Sequence, residues 1–235
     1  MSDADLHDAV AARFRRIDPS AWEDVYLVGD VHGCAAELGR LVDRLDPAPH
    51  DLVVFVGDLV RKGPDSKAVV EFVRRHENMV SVRGNNEDKL VRDRETLDAL
   101  DRADLAYLES LPVALAIDDT LVVHGGVDPT RALDEQDVES LLTCRAVPPE
   151  NGYDGPFWFE RYRGPPRVVF GHTVLDDPVV TDWAVGLDTG CVYGGALTAY
   201  DYGDDSFVSV PAQRTYRTRA DRKVLDVDAL DRGRS

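Results

Sequence analysis

Six residues with oxygen or imidazole donors each close an apolar run. Asp30 and His32 end VYLVGDVHG, Asp58 ends LVVFVGD, Asn85 follows SVRG, His124 ends LVVH and His172 ends VVFGH. Taken singly, each is unremarkable, since an Asp after a strand commonly caps a helix. Taken together, two carboxylates, one amide oxygen and three imidazoles without a thiolate suit divalent first-row ions such as manganese, iron or zinc. One ion would leave donors over, whereas two ions sharing Asp58 would use them all. Two ions about 3.5–4 Å apart activate water near neutral pH and clamp both ends of an in-line displacement at phosphorus. The chemistry this pattern implies is hydrolysis of a phosphoester.

The elements that must position these groups can be read from the same runs. Strands are expected at 25–29, 52–57, 79–82, 113–117, 121–125 and 167–171, with helices at 34–45 and 65–76 between them. Alternating strands and helices argue for βαβ units and an α/β fold. Asp30, Asp58 and Asn85 are 28 and 27 residues apart, about the ~30 of one such unit. In open α/β sheets ligands bind beyond the carboxyl ends of strands, where these donors fall. After residue 180 the pattern shortens to WAVGLDTG, LTAYDY and FVSVP, expected to be antiparallel strands added to the same domain. Leu6, Val10, Phe14 and Ile17 have helical spacing and predict an amphipathic first helix. A single domain is expected over 1–235, with its core at about 24–211 and a solvated, frayed polar tail at 212–235.

Composition narrows the partners. The chain has 44 acidic and 27 basic residues and a net charge of -17, so its surface repels nucleic acid phosphates. Abundant Asp with only four Lys (62, 67, 89 and 223) matches proteins of salt-loving organisms. No apolar run is long enough to span a membrane, and no signal peptide is evident. The three cysteines, Cys34, Cys144 and Cys191, form no CxxC pair, which fits a reducing cytoplasm without structural zinc.

The ordered motifs GDVHG, GDLVRKGP, RGNNE, VVHGG and FGHT resemble the calcineurin-like metallophosphoesterases, specifically the phosphoprotein phosphatase branch. FERYRGPPRVVFGHTV and GLDTGCVYGGALTAYDY resemble its prokaryotic serine/threonine-phosphatase-like group, while GDLVRKGPDS is similar to the symmetrical diadenosine tetraphosphatases. The resemblance, over about residues 24–211, implies an αββα sandwich: two mixed β-sheets flanked by helices. It implies Asp30, His32 and Asp58 on one metal and Asp58, Asn85, His124 and His172 on a second, with manganese first and iron or zinc as alternatives. Lys62 stands where the family has a phosphate-binding Arg, keeping the charge but losing the bidentate fork. Asp188 in LDTG matches an Asp near the family site, in the role of orienting a ligand histidine. Arg145 would add a phosphate contact. The implied substrate is a phosphorylated protein, hydrolysed in the manner of a serine/threonine phosphatase. The alternatives are a symmetrical bis(5'-nucleosyl)-tetraphosphatase acting on a nucleotide phosphoanhydride, and a non-catalytic phospho-binding relative.

One position departs from the pattern. The family writes its third motif Gly-Asn-His-Asp/Glu, with the His as proton donor to the leaving alkoxide, and this chain has Asn86 there. The Asp that supports that His in much of the branch is Arg61 here. A neutral amide has no usable pKa, and loss of a general acid costs ~10² to 10⁴ in rate. Three outcomes are compatible: substrates with good leaving groups, donation by Asp188 or a metal-bound water, or a protein that binds without turnover.

Overall fold

The computed structural model of the protein describes residues 7–232. The chain opens with α1 (Asp8–Ala11), β1 (Phe14–Ile17), β2 (Val25–Val28), α2 (Ala35–Leu45), β3 (Leu52–Phe55), α3 (Ser66–Arg75), β4 (Met79–Ser81), α4 (Asn85–Val91) and α5 (Arg102–Ser110). It continues through β5 (Ala114–Ile117), β6 (Thr120–Val123), α6 (Val138–Thr143), α7 (Trp158–Arg161), β7 (Arg167–Phe170), β8 (Val179–Val180), β9 (Ala184–Gly186), β10 (Ala196–Asp201), β11 (Ser206–Pro211) and α8 (Val227–Arg232). One sheet has the order β11-β10-β2-β3-β4 and the other β1-β5-β6-β7-β9-β8. Both are mixed, as the αββα sandwich requires: β2, β3 and β4 run parallel, as do β6, β7 and β9, while β10 is antiparallel to both its neighbours and β5 is antiparallel to β6.

The apolar runs are continuous because each strand buries both faces, and its two-residue period sends alternate side chains to different cores. Val25, Leu27, Leu52, Val54 and Val56 meet Leu115, Ile117, Val122, Val169 and Val185 between the sheets. The intervening Val28, Val53 and Phe55 pack against Leu38 and Leu41 of α2 and Val69, Val70 and Val73 of α3. On the other outer face Leu121, Val123, Val168 and Phe170 pack with Trp158 and Phe159 of α7. This packing fixes the strand ends of both sheets relative to one another, which is what the site needs. No helix among the described residues is long and apolar enough to cross a membrane.

Three expectations are corrected. The N-terminal amphipathic helix is only α1; Phe14 and Ile17 instead lie in β1, which pairs in parallel with β5, so tertiary pairing outweighs the helical spacing. Leu6 lies outside the described residues. Of the strands after residue 180, β10 and β11 are antiparallel as expected, but β9 runs parallel to β7. The tail is not frayed over 213–225: the Gln213 amide and the Tyr216 hydroxyl donate to buried Glu37 at 2.8 and 3.0 Å, and Leu225 is buried beside Leu175.

The inter-sheet core should dominate stability. Leu27→Ala, at a fully buried position, is expected to lower the unfolding free energy by about 2–5 kcal/mol, and Leu105→Ala, on the exposed face of α5, by less than about 0.5. Urea denaturation followed by circular dichroism checks this, and similar losses at both positions would contradict the assignment of the core.

Candidate metal centre

The loops after β2, β3, β4, β6 and β7 converge, and their backbones are unusual. His32, Asp58, Arg61, Lys62 and His172 all have positive φ, between 49° and 70°. Such conformations cost of order 1–3 kcal/mol each and persist where surrounding contacts over-determine them. Two glycines allow the close approach: a side chain on Gly84 would strike the Asp58 amide and carboxylate, and one on Gly171 would strike Asp30 Oδ1.

Asp58 lies at the centre. Its Oδ2 is 3.5 Å from His32 Nε2 and its Oδ1 is 3.4 Å from His124 Nε2, so its two oxygens face different imidazoles. Asp30 Oδ2 lies 3.7 Å from His32 Nε2 on one side. On the other, Asn85 Oδ1 lies 3.1 Å from His124 Nε2, and the His124 and His172 rings are 5.1 Å apart. The His172 amide donates to both Asp30 oxygens at 3.2 and 3.3 Å, tying β7 to β2. All six sequence-predicted donors are therefore brought together, while His7, His50 and His76 are exposed and elsewhere.

The imidazoles are oriented by the backbone. His32 Nδ1 lies 3.2 Å from the Val60 carbonyl and His124 Nδ1 lies 2.9 Å from that of Val56, which makes Nδ1 the N–H and turns Nε2 toward the cluster. Asp188, expected to hold a histidine, instead accepts from the Gly190 amide at 3.1 Å. Burial, with the charge of Asp188 nearby, pushes the Asp30 carboxyl well above its usual range. Burial and Lys62 bring His32 down to about 3, and burial and Arg145 hold His172 well below its ordinary value. Burial opposes charge on Asp58 and His124, yet the pair overcomes it: the imidazoles hold Asp58 low, and Asp58 with Asp30 raises His124 to about 10.

The residues fit a pair of divalent ions. The protein's own cations balance the cluster poorly, since Asp30 is driven toward neutrality and Asp58 depends on a buried imidazolium. Asp30, His32 and Asp58 offer ligand atoms within 4.8 Å of one another, all buried. Asp58 presents one oxygen to each half of the site, the arrangement a shared ligand requires. Cys34, Glu37 and Cys191 also gather within 4.8 Å, but Glu37 is already the acceptor for Gln213 and Tyr216.

Several contributors escaped the sequence. Glu87 is fully buried and accepts from the amides of Asp58, Gly84 and Val60 at 2.8, 2.7 and 3.1 Å, locking the β3 loop to the start of α4; burial and the Asp58 charge raise its carboxyl to about 7. Its signal was available as an acid three residues after a helix-capping Gly. Tyr193 has its ring 5.6 Å from Lys62 Nζ, and Tyr153 has its ring 4.3 Å from the Arg145 guanidinium. Lys62 Nζ lies 2.7 Å from His32 Nε2 and an Arg145 nitrogen 2.6 Å from His172 Nε2, so both cations border the cluster. Buried Arg145 Nε has no hydrogen-bond partner. Asn86 and Arg61 are joined: Arg61 donates to Asn86 Oδ1 at 2.9 Å, which turns Asn86 Nδ2 toward Asp58 Oδ2 at 2.5 Å. Glu95 in turn pairs with Arg61.

Buried carboxylates and imidazoles at the carboxyl edge of two face-packed mixed sheets define a metal-dependent phosphoesterase. The chain belongs to the calcineurin-like phosphoesterase family, whose model matches residues 24–210, and is thus a hydrolase of phosphoric ester or anhydride bonds in a family that uses two metal ions. It is similar to the asymmetrical bis(5'-nucleosyl)-tetraphosphatase PrpE of Geobacillus sp. (strain WCH70), 28% identical over 81% of this chain and 95% of the relative. The same-named protein of Anoxybacillus flavithermus (strain DSM 21510 / WK1) is 29% identical over 81% and 95%. A crystal structure provisionally named a diadenosine tetraphosphatase is 32% identical, with a TM-score of 0.75 over 85% of this chain and 98% of that one. A serine/threonine phosphatase of Saccharomyces cerevisiae, 16% identical with a TM-score of 0.59 over 89% and 85%, shares the fold.

Glu87→Ala would orphan three buried amides at about 1–3 kcal/mol each. It is expected to lower the unfolding free energy by at least about 3 kcal/mol and to reduce the divalent metal retained after dialysis. Denaturation and atomic emission check the two effects, and unchanged metal content would show that Glu87 does not position Asp58.

Proposed function

We propose that the protein cleaves a phosphoanhydride bond of a dinucleoside polyphosphate, as a bis(5'-nucleosyl)-tetraphosphatase. The observation that carries this reading is the chain Arg61–Asn86–Asp58, which fills the family's proton-donor position with an amide clamped by a guanidinium. An alkoxide leaving a phosphoserine needs a proton, and a missing acid costs ~10² to 10⁴ in rate. A phosphate leaving group, with its second pKa about 6, departs at neutral pH without one. The serine/threonine phosphatase expectation therefore yields to the alternative. The names of the relatives support the same substrate class, with asymmetrical cleavage in place of the symmetrical mode suggested by GDLVRKGPDS.

Asp30, His32 and Asp58 would hold one ion and Asp58, Asn85, His124 and His172 the other, with manganese the first choice for this oxygen and imidazole set. Two ions there supply Lewis acidity and an activated nucleophile for in-line displacement at phosphorus. Lys62 and Arg145, at opposite edges of the cluster, bind the oxygens of the phosphoryl group under attack. The Arg61–Asn86 pair keeps an N–H donor aimed at Asp58 and holds no titratable proton. Asp188, buried near Asp30, helps with Asp58 to keep Lys62 charged against burial.

With manganese present, diadenosine tetraphosphate should be turned over faster than a phosphoserine peptide and should give ATP and AMP by ion-exchange chromatography. Two ADP per substrate would restore the symmetrical mode, and faster peptide turnover would overturn the reading. The amide clamp yields a second expectation. Asn86→His alone places an imidazole against Arg61 and should gain little, whereas Arg61→Asp with Asn86→His should raise kcat on an alkyl phosphate by up to ~10², well beyond any gain on p-nitrophenyl phosphate. Equal gains on both substrates would refute the leaving-group argument.

A further inference from the structure

The C-terminal segment crosses the mouth of the metal centre. One end is held to α2 by Glu37, through Gln213 and Tyr216, and the Tyr216 and Arg217 amides donate to the Val192 carbonyl at 3.1 and 3.0 Å. The other end is tied by Leu225, whose amide donates to the Val174 carbonyl at 2.9 Å and whose carbonyl accepts from Asp176 at 3.0 Å. Between these anchors Arg219 lies between two tyrosine rings, 4.6 Å from the Tyr193 centroid and 5.3 Å from that of Tyr153. It also donates to the Tyr153 hydroxyl and, at 2.8 Å, to the Lys223 carbonyl. Tyr193 in turn carries Lys62 on its ring, so stacked contacts run from the metal centre to the segment.

Segment and site enclose a cleft of about 340 Å³ lined by Arg61, Lys62, Lys89, Arg217, Arg219 and Lys223, with no carboxylate in the lining. In a chain of net charge -17 this concentration of cations is out of keeping with the composition. Glu95 offsets Arg61 and Lys89. We propose that residues 213–225 form a strap that binds the phosphates lying beyond the one at the metals, making the protein selective for a polyphosphate chain over a single phosphate. Lys62 and Arg145 engage the reacting phosphoryl group, and Arg217, Arg219 and Lys223 meet the phosphates that follow. Cations lining a cleft concentrate a polyanion more than isolated surface charges do. The strap rests on the nucleotide reading only for the identity of its ligand.

Titration calorimetry of the manganese-loaded protein with a methylene-bridged tripolyphosphate, whose P–C–P linkages are not hydrolysed, and with orthophosphate tests the strap without turnover. The wild-type protein is expected to bind tripolyphosphate at least tenfold more tightly than orthophosphate at low salt. Arg217→Gln with Lys223→Gln should erase roughly tenfold of that preference. Both side chains are exposed, so the variant should keep its Tm, and Arg217→Lys with Lys223→Arg should bind as the wild type does. A preference that survives the glutamine variant, or an equal loss for both anions, overturns the strap. Chelation of metal by tripolyphosphate would act on wild type and variant alike and counts against it. Strap-dependent tripolyphosphate binding without turnover of diadenosine tetraphosphate would uphold the strap and reject the nucleotide reading. Turnover of the nucleotide with binding unaffected by the variant would do the reverse.

Discussion

A carboxylate buried at the meeting point of two sheets has to be surrounded by donors and cations, and Asp58 imposes that requirement on every loop of the site. Its oxygens face His32 and His124 and accept from the Asn86 amide and side chain at 2.9 and 2.5 Å. Leaving such a charge without partners would cost several kcal/mol. The surrounding architecture follows from avoiding that cost. Glu87 fixes the Asp58 backbone, the Val56 and Val60 carbonyls orient the imidazoles, and positive-φ residues turn the loops sharply enough to bring five strand ends to one point.

Electrostatics also explain why the two departures from the family pattern occur together. An Asp and a His at the positions of Arg61 and Asn86 would form a charge-coupled acid. A guanidinium and an amide form a donor pair that keeps its protons at neutral pH instead, with Glu95 balancing the charge of Arg61. Either half exchanged alone would leave an Arg facing an imidazolium or an Asp facing the Asn86 carboxamide oxygen and Glu95. The pair therefore behaves as one unit, and on the proposed reading it moves the chemistry from proton donation toward leaving groups that need none.

The net negative charge and the basic cleft are two parts of one electrostatic design. Acidic residues cover the exterior, while cations gather where the C-terminal strap meets Lys62 and Tyr193. At about 1 M salt the exterior field is screened within about 3 Å, but cations held against tyrosine rings at short range keep their local effect. With the strap as proposed, substrate attraction is decided within the cleft and not by the overall charge.

The sequence by itself determined most of the strands, the α/β class and the six donors, because the apolar runs are buried on both faces and end abruptly in polar residues whose spacing matches a βαβ repeat. The strand runs at 25–29, 52–57 and 167–171 correspond to β2, β3 and β7 with only the ends trimmed. Only the tertiary structure decided the rest. Whether Phe14 and Ile17 joined a helix or β1 depended on a free edge at β5, more than ninety residues away. Asn86 replaces an acid in the sequence, but only the fold has Arg61 hold its amide against Asp58, and only the fold anchors the tail through Glu37 and Leu175. These outcomes depend on partners distant in the chain, and local spacing carries no record of which distant groups a fold will bring within hydrogen-bonding reach.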